Sequence, residues 1–281
     1  MLNLIRNKNL KPFLKWVGGK SQLLNKLLLL VPQEYNTYYE PFVGGGAMLL
    51  ALQPKQAVIG DMNSQLINAY LQIRDRPADV IDYIQKFDSE PCTKEIFCSR
   101  REQFNDKIRE DKLDVESAAL MVWINKHCFN GLYRVNSLGI FNVPWNNKTT
   151  GSSISIENLK AVSDYLSKNR VTIRNSDFEV TCRDIKKGDF VYFDSPYVPV
   201  SQTSNFTSYQ SKGFTEFDHK RLAGFVKELD KAGVKFMLSN NNVPTVKELY
   251  KDFRIIETNV SRSINCIGNK RTGAEVIILN Y

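Results

Sequence analysis

Residues 190 to 197 read Phe-Val-Tyr-Phe-Asp-Ser-Pro-Tyr. An apolar run ends in an acid, a serine, a proline and an aromatic ring. A carboxylate is costly to desolvate without a partner, and ligands of α/β proteins sit at strand ends. Asp194, Ser195, Pro196 and Tyr197 are therefore candidate catalytic residues. A planar amine on a base suits them. An ionised carboxylate accepts one N–H of the amine and a main-chain carbonyl accepts the other. Holding both hydrogens favours a pyramidal nitrogen and concentrates its lone pair toward an electrophile. The tyrosine ring stacks on the face of the base. This chemistry needs no metal, nucleophilic cysteine or histidine base. Cys92, Cys98, Cys128, Cys182 and Cys266 are scattered without a CxxC pair, and His127 and His219 are the only histidines. That pattern speaks against a zinc site and a disulfide framework.

A second constellation lies upstream. Phe-Val-Gly-Gly-Gly-Ala-Met (42–48) follows one strand-like run and opens a helix. Glycines there let a ligand approach the backbone, and a helix N-terminus favours negative charge. Asp61 follows Gly44 by seventeen residues, at the end of the next strand-like run. An acid so placed hydrogen-bonds ribose hydroxyls, which points to an adenosine-bearing cofactor. The glycine triplet alone also fits a tight βα turn with no ligand. Its spacing departs from GxGxxG, which weakens a dinucleotide reading. Gly18-Gly19-Lys20 is no phosphate loop, because Leu14 stands where the upstream glycine belongs.

Positioning these clusters takes alternating strands and helices. TYYEPF (37–42), QAVIGD (56–61), VTIRNSDF (171–178), FVYFD (190–194), VKFMLSNN (234–241), FRIIETNV (253–260) and EVIILNY (275–281) read as strands. In residues 20 to 31, Leu23, Leu24, Leu27, Leu28 and Val31 share one helical face, and Pro32 stops the helix. Asn63 or Ser64 caps the next helix. SAALMVWINKHC (117–128) is apolar almost all round and belongs in an interior. Residues 215 to 232 form another helix, with His219 at its exposed start. The β-turn-α-β-α opening indicates a parallel α/β domain, 1–65 and 156–281, interrupted by a helical insert, 66–155.

Of the 281 residues, 42% are hydrophobic and 24% charged, an ordinary globular balance. A net charge of +8 suits a nucleic-acid partner without requiring one. MLNLIRNKNLKPF lacks the apolar core of a signal peptide, and LLNKLLLLVP is too short and broken to span a bilayer. A cytoplasmic protein with no membrane partner is expected.

Taken in order, the segments resemble the Dam-type DNA N6-adenine methyltransferases, including those of GATC restriction–modification systems. FLKWVGGK (13–20) is similar to the family's N-terminal motif and EPFVGGGAML (40–49) to its S-adenosylmethionine loop. FNGLYRVNSLGIFNVPW (129–145) is similar to its target-recognition segment, and DSPYVPVSQTSNFTSY (194–209) to its catalytic segment and the loop after it. The resemblance implies a Rossmann-like, S-adenosylmethionine-dependent sheet, mostly parallel with one antiparallel strand, and an inserted helical DNA-recognition domain. It also implies the residue roles. Trp16, Lys20, Glu40, Phe42, Gly44, Gly46, Asp61 and Asp194 match cofactor-contacting positions, and Asp177 and Phe178 match positions that cradle the cofactor's adenine. Lys15, Asn130, Leu132, Arg134 and Pro144 match positions near the DNA bases. An arginine there pairs with guanine O6 and N7, and Leu or Pro covers a thymine methyl. The target adenine must leave the stack. Ser201 and Asn205, in the loop over it, and Lys270 and Arg271, between the last strands, touch phosphate. A monomer on double-stranded DNA is expected, nucleoid-associated when bound and without metal. A cognate restriction endonuclease is a partner if the chain belongs to such a system.

One departure stands out. The family pattern has proline where this chain has Ser195. The main-chain carbonyl survives, and Pro196 still biases Ser195 toward extended geometry. The lost ring restraint is worth about 0.4–1 kcal/mol. Methylation is expected to persist, more slowly. Other readings stay open: another GAT-containing target, the N4 amino group of cytosine, or a DNA-binding relative silenced by Ser195. A dinucleotide oxidoreductase fits less well. Pro91-Cys92 resembles the catalytic dipeptide of cytosine-C5 methyltransferases but falls in the helical insert, away from any strand end.

Overall fold

Strands with apolar residues at every position must be covered on both faces. The computed structural model describes residues 10–16, 23–199, 213–261 and 272–281. Within them lie β1 (Tyr38–Glu40), β2 (Gln56–Asp61), β3 (Arg170–Asn175), β4 (Phe190–Phe193), β5 (Lys235–Asn241), β6 (Arg254–Ser261) and β7 (Thr272–Leu279). They form one sheet in the order β3-β2-β1-β4-β5-β7-β6. The first five in that order pair parallel, and β7 runs antiparallel to both its neighbours. The sheet is thus mostly parallel with one antiparallel strand, as expected. Side chains alternate between two cores: Tyr38, Phe190 and Tyr192 enter one, while Tyr39, Val191 and Phe193 enter the other.

One face is covered by α1 (Leu24–Leu30), α2 (Ala47–Leu52) and α3 (Ser64–Asp75). Leu23 and Leu27 are buried there, and Leu24, Leu28 and Val31 pack against the same core. Asn63 caps α3, its side chain accepting the Leu66 N–H at 3.0 Å. Onto α3 pack α4 (Pro77–Asp88) and α6 (Val115–His127), with α5 (Lys94–Arg109) against α6. Eleven of the thirteen residues of α6 are buried, because helices surround it. The helix α7 (Ile156–Lys168) returns the chain to α3 and β3. The expected start of the insert, residue 66, falls inside the first turn of α3, which touches β2 and β3 as well as α6. The other face holds α8 (Phe178–Thr181), α9 (Glu216–Lys231) and α10 (Pro244–Leu249).

His219 corrects an expectation: it is 5% exposed and lies edge-on to Phe214 at 4.8 Å. His219, Leu222, Ala223 and Val226 repeat at the spacing of one helical face, which α9 turns to the core. No described helix is long and apolar enough to cross a membrane.

The chain winds from β1 through β2 to β3 on one side and from β4 to β5 on the other. In sheets wound this way the ligand crevice is expected beyond the carboxyl ends of the strands where the winding reverses, here between β1 and β4.

Gly60, inside β2, tests the packing of α8 on the sheet. A Cβ there would lie 2.3 Å from Thr181 Oγ1. Gly60→Val is expected to lower stability by about 1–3 kcal/mol through overpacking. Urea midpoints check this, and Thr181→Ala in the same chain should return part of the loss.

Candidate active site

The loop after β1 is shaped by contacts that exclude side chains. Gly44 has φ +47° and Gly46 φ +70°, in the left-handed region. A Cβ on Gly44 would lie 2.6 Å from the Trp16 indole, and one on Gly46 2.5 Å from the Tyr70 hydroxyl. The Tyr70 hydroxyl donates to the Gly44 carbonyl at 3.0 Å. Asp61 closes the loop from the end of β2. Its carboxylate accepts the Gly44 N–H at 3.2 Å and the Asn63 N–H at 2.9 Å. Burial pushes Asp61 up to about 6, against the pull of those N–H groups.

Glu40, 2% exposed at the end of β1, accepts from the Tyr38 hydroxyl at 2.8 Å and from the Leu49 N–H of α2. Burial pushes its carboxyl up to about 8, and the nearby Asp194 charge adds to the rise. Glu40 therefore keeps its proton at neutral pH.

Beside the loop is an aromatic cluster. The Phe42 ring stacks on Phe178 at 5.7 Å and meets Phe193 edge-on at 6.5 Å. Asp177 caps α8, accepting the Glu179 N–H at 3.0 Å. It also takes the guanidinium of Arg221, which lies 4.3 Å over the Phe178 ring. Arg221 comes from α9, 44 positions further on, and nothing in the local sequence signals it.

Asp194, Ser195, Pro196 and Tyr197 follow β4 directly. Asp194, Pro196 and Tyr197 are half-buried; Ser195 is 2% exposed. The Tyr197 hydroxyl donates to Glu275 Oε2 at 3.1 Å. Burial, with the Asp194 charge beside it, holds that hydroxyl well above its usual pKa, so it stays protonated. Val198 is bonded through its N–H and its carbonyl to Asn240 and Asn241 of β5. Asn240, Asn241 and Glu275 have no recognisable motif in the sequence. Only strand pairing brings them here.

The residues expected near DNA gather on the adjoining surface. Asn125 of α6 accepts the Lys15 N–H at 2.8 Å and donates to the carbonyls of Lys15 and Gly131 at 2.9 and 3.0 Å. This ties exposed Lys15 to the short 3₁₀ turn Phe129–Gly131, where Asn130 is exposed with φ +55°. Leu132 and Arg134 enter a small hairpin closed by the Val135–Phe141 bridge. Arg134 Nε donates to Asn142 Oδ1 at 2.8 Å, and the carbonyl of exposed Pro144 accepts the Phe129 N–H at 2.8 Å. Trp16 joins the two halves: it lies against Gly44 and stacks on Tyr133 of the hairpin at 5.4 Å. Lys20, Ser201, Asn205, Lys270 and Arg271 lie outside the described residues. Cys92, after Pro91, is buried before α5, and burial pushes its thiol up to about 11.

Residues 16–264 match the family model described as D12 class N6 adenine-specific DNA methyltransferase. The chain belongs to that family. It is 42% identical over 283 residues to the type II methyltransferase M1.LlaDCHI of Lactococcus lactis subsp. cremoris, covering 100% of this chain and 99% of that protein. It is 40% identical to the type II methyltransferase M.MjaIII of Methanocaldococcus jannaschii, covering 96% and 99%. A DNA adenine methylase of Haemophilus influenzae is 29% identical, covering 95% of this chain and 92% of that protein. In this D12-class methyltransferase the Gly44–Gly46 loop and the 194–197 segment follow the neighbouring strands β1 and β4, and Trp16 links the loop to the hairpin through Tyr133.

Glu40 gives a pH test of this packing. Its folded pKa is raised, so its contribution to stability is whole below about 4.5 and is lost as pH rises to about 8. Glu40→Gln removes that titration. Its stability relative to the unaltered chain is expected to improve steadily between pH 5 and pH 8, and thermal unfolding across that range checks it.

Proposed function

We propose that this chain binds S-adenosylmethionine in the crevice and transfers its methyl group to N6 of an adenine turned out of duplex DNA, within GATC. The single observation that carries the reading is the position of Asp194–Tyr197 at the reversal point, beside the Gly44–Asp61 loop and joined through Trp16 and Tyr133 to the recognition hairpin. The cradle fits such a cofactor. Asp61 offers a carboxylate to ribose hydroxyls and half-buried Phe42 offers an aromatic ring to a purine, backed by Phe178, which is buried between Phe42 and Arg221.

S-adenosylmethionine supplies, when bound, an electrophilic methyl carbon on a sulfonium. The protein's own part is orientation. Asp194 accepts one hydrogen of the amino group and the Ser195 carbonyl the other. Tyr197 stacks on the base, its ring steadied through Glu275. Protonated Glu40 leaves Asp194 with one less negative neighbour in the crevice. Arg134, held by Asn142, reads guanine, while Leu132 and Pro144 cover a thymine methyl. Lys20 joins the cofactor side, and Ser201, Asn205, Lys270 and Arg271 join the phosphates. We assign catalysis to 1–65 and 156–281 and target reading to 66–155, in a monomer working at cytoplasmic DNA. Ser195 keeps the accepting carbonyl, which favours an active enzyme over a silent relative.

Label transfer from S-adenosylmethionine to a GATC duplex checks the proposal. N6-methyladenine is expected, and a duplex with that site replaced should stay unlabelled. Label recovered as N4-methylcytosine, or none with either the unaltered chain or Ser195→Pro, overturns it. Asp194→Ala should lower kcat by about 100-fold or more. Arg134→Ala should weaken discrimination at the guanine by about 1–3 kcal/mol, read as the kcat/KM ratio for GATC over its G-substituted variant.

A further inference from the structure

Ser195 Oγ and Asn240 Nδ2 are both buried, and neither has a hydrogen-bond partner among the described residues. Burying polar groups unpaired is costly, so something else must justify the asparagine. Its other end does. Asn240 Oδ1 accepts the Val198 N–H at 3.0 Å and the Asn241 N–H at 2.8 Å. Asn241 Nδ2 donates to the Val198 carbonyl at 2.7 Å. Asn240 and Asn241 are 1% and 6% exposed, so water competes little for these bonds. Both close β5, which pairs with β4 so that Phe193 faces Leu238. Segment 194–198 is thus held at one end by β4 and at the other by two side chains of β5. Ser195 lies between these anchors. A proline in its place would fix its own φ near −65°. Pro196 only biases Ser195 toward the extended range.

We propose that Asn240 and Asn241 are positioning residues for methyl transfer: their clamp on Val198 supplies the restraint that a proline at 195 would otherwise give. The inference rests on the function proposed above. The Asp194 carboxylate and the Ser195 carbonyl must meet two hydrogens on one nitrogen, so their spacing is the quantity to hold. With both ends of the segment anchored, the Val198 bonds limit rotation about the Ser195 backbone. Neither asparagine touches the reacting atoms. Each acts through the segment it pins.

The test combines Asn240→Leu and Asn241→Leu with Ser195→Pro. In the unaltered background, each leucine variant should lower kcat by about 10- to 100-fold, the scale of a small misplacement at the reacting centre. KM for S-adenosylmethionine and for DNA should change less than kcat does, because most binding groups lie outside the 194–198 segment. In the Ser195→Pro background the same leucines should lower kcat by no more than about 3-fold. Equal losses in both backgrounds, or an unchanged kcat, overturn the proposal. Amide hydrogen exchange of the 194–198 peptide provides a readout independent of turnover. It should quicken in Asn240→Leu, and unchanged exchange also overturns the clamp. If neither the unaltered chain nor Ser195→Pro transfers methyl, the function reading fails instead, while exchange still decides the clamp. Should Asn240→Leu not fold, Asn241→Leu carries the same comparison, since it removes one donor and leaves Asn240 in place.

Discussion

Both faces of the central sheet are sealed by helices, and the rest of the molecule follows from that constraint. A strand buried on two sides has no room for an uncompensated polar group until it ends. The chemistry-bearing side chains therefore collect at the strand ends: Glu40 at β1, Asp61 at β2, and Asp194 after β4. The winding reverses between β1 and β4, the point where ligands of such sheets bind. The three carboxyl groups lie at or beside that point.

Three acids in one cleft would repel if all were ionised. The surroundings divide them. Glu40 sits deepest, between Tyr38 and the first turn of α2, and burial keeps it protonated at neutral pH. Burial raises Asp61 less, to about 6, because the N–H groups of Gly44 and Asn63 oppose it. Asp194 is half-buried at the crevice. A neutral Glu40 lowers the electrostatic penalty of an ionised Asp194, which must accept and not donate in the proposed step.

The surface formed by Lys15 and the 129–144 segment is coupled to the glycine loop by direct contacts. Asn125 bonds both Lys15 and Gly131 and so ties the N-terminal strip to the 3₁₀ turn. Trp16, next along that strip, is wedged between Gly44 and Tyr133. The hairpin and the glycine loop are adjacent parts of one packed unit, with α3 packed on both the sheet and α6.

Much of this was legible in the chain. Strand runs such as QAVIGD (56–61) are apolar at consecutive positions, and their ends carry acids and glycines with known conformational demands. A cap at Asn63 or Ser64, which the structure places at Asn63, and the buried α6 followed from local propensity and periodicity. The family resemblance rested on motifs continuous in sequence: the glycine loop, the 194–197 quartet and the recognition segment. Side chains without a local pattern were invisible. His219 looked like an exposed residue at a helix start, yet its helical face turns inward. Arg221 over Phe178, Asn125 at Lys15, and Asn240, Asn241 and Glu275 at the 194–198 segment come from distant positions. Sequence alone determined which groups carry chemistry, because composition and short-range spacing encode that. Only the tertiary structure decided what holds those groups still and which carboxyl keeps its proton, because restraint and desolvation depend on neighbours that chain order does not reveal.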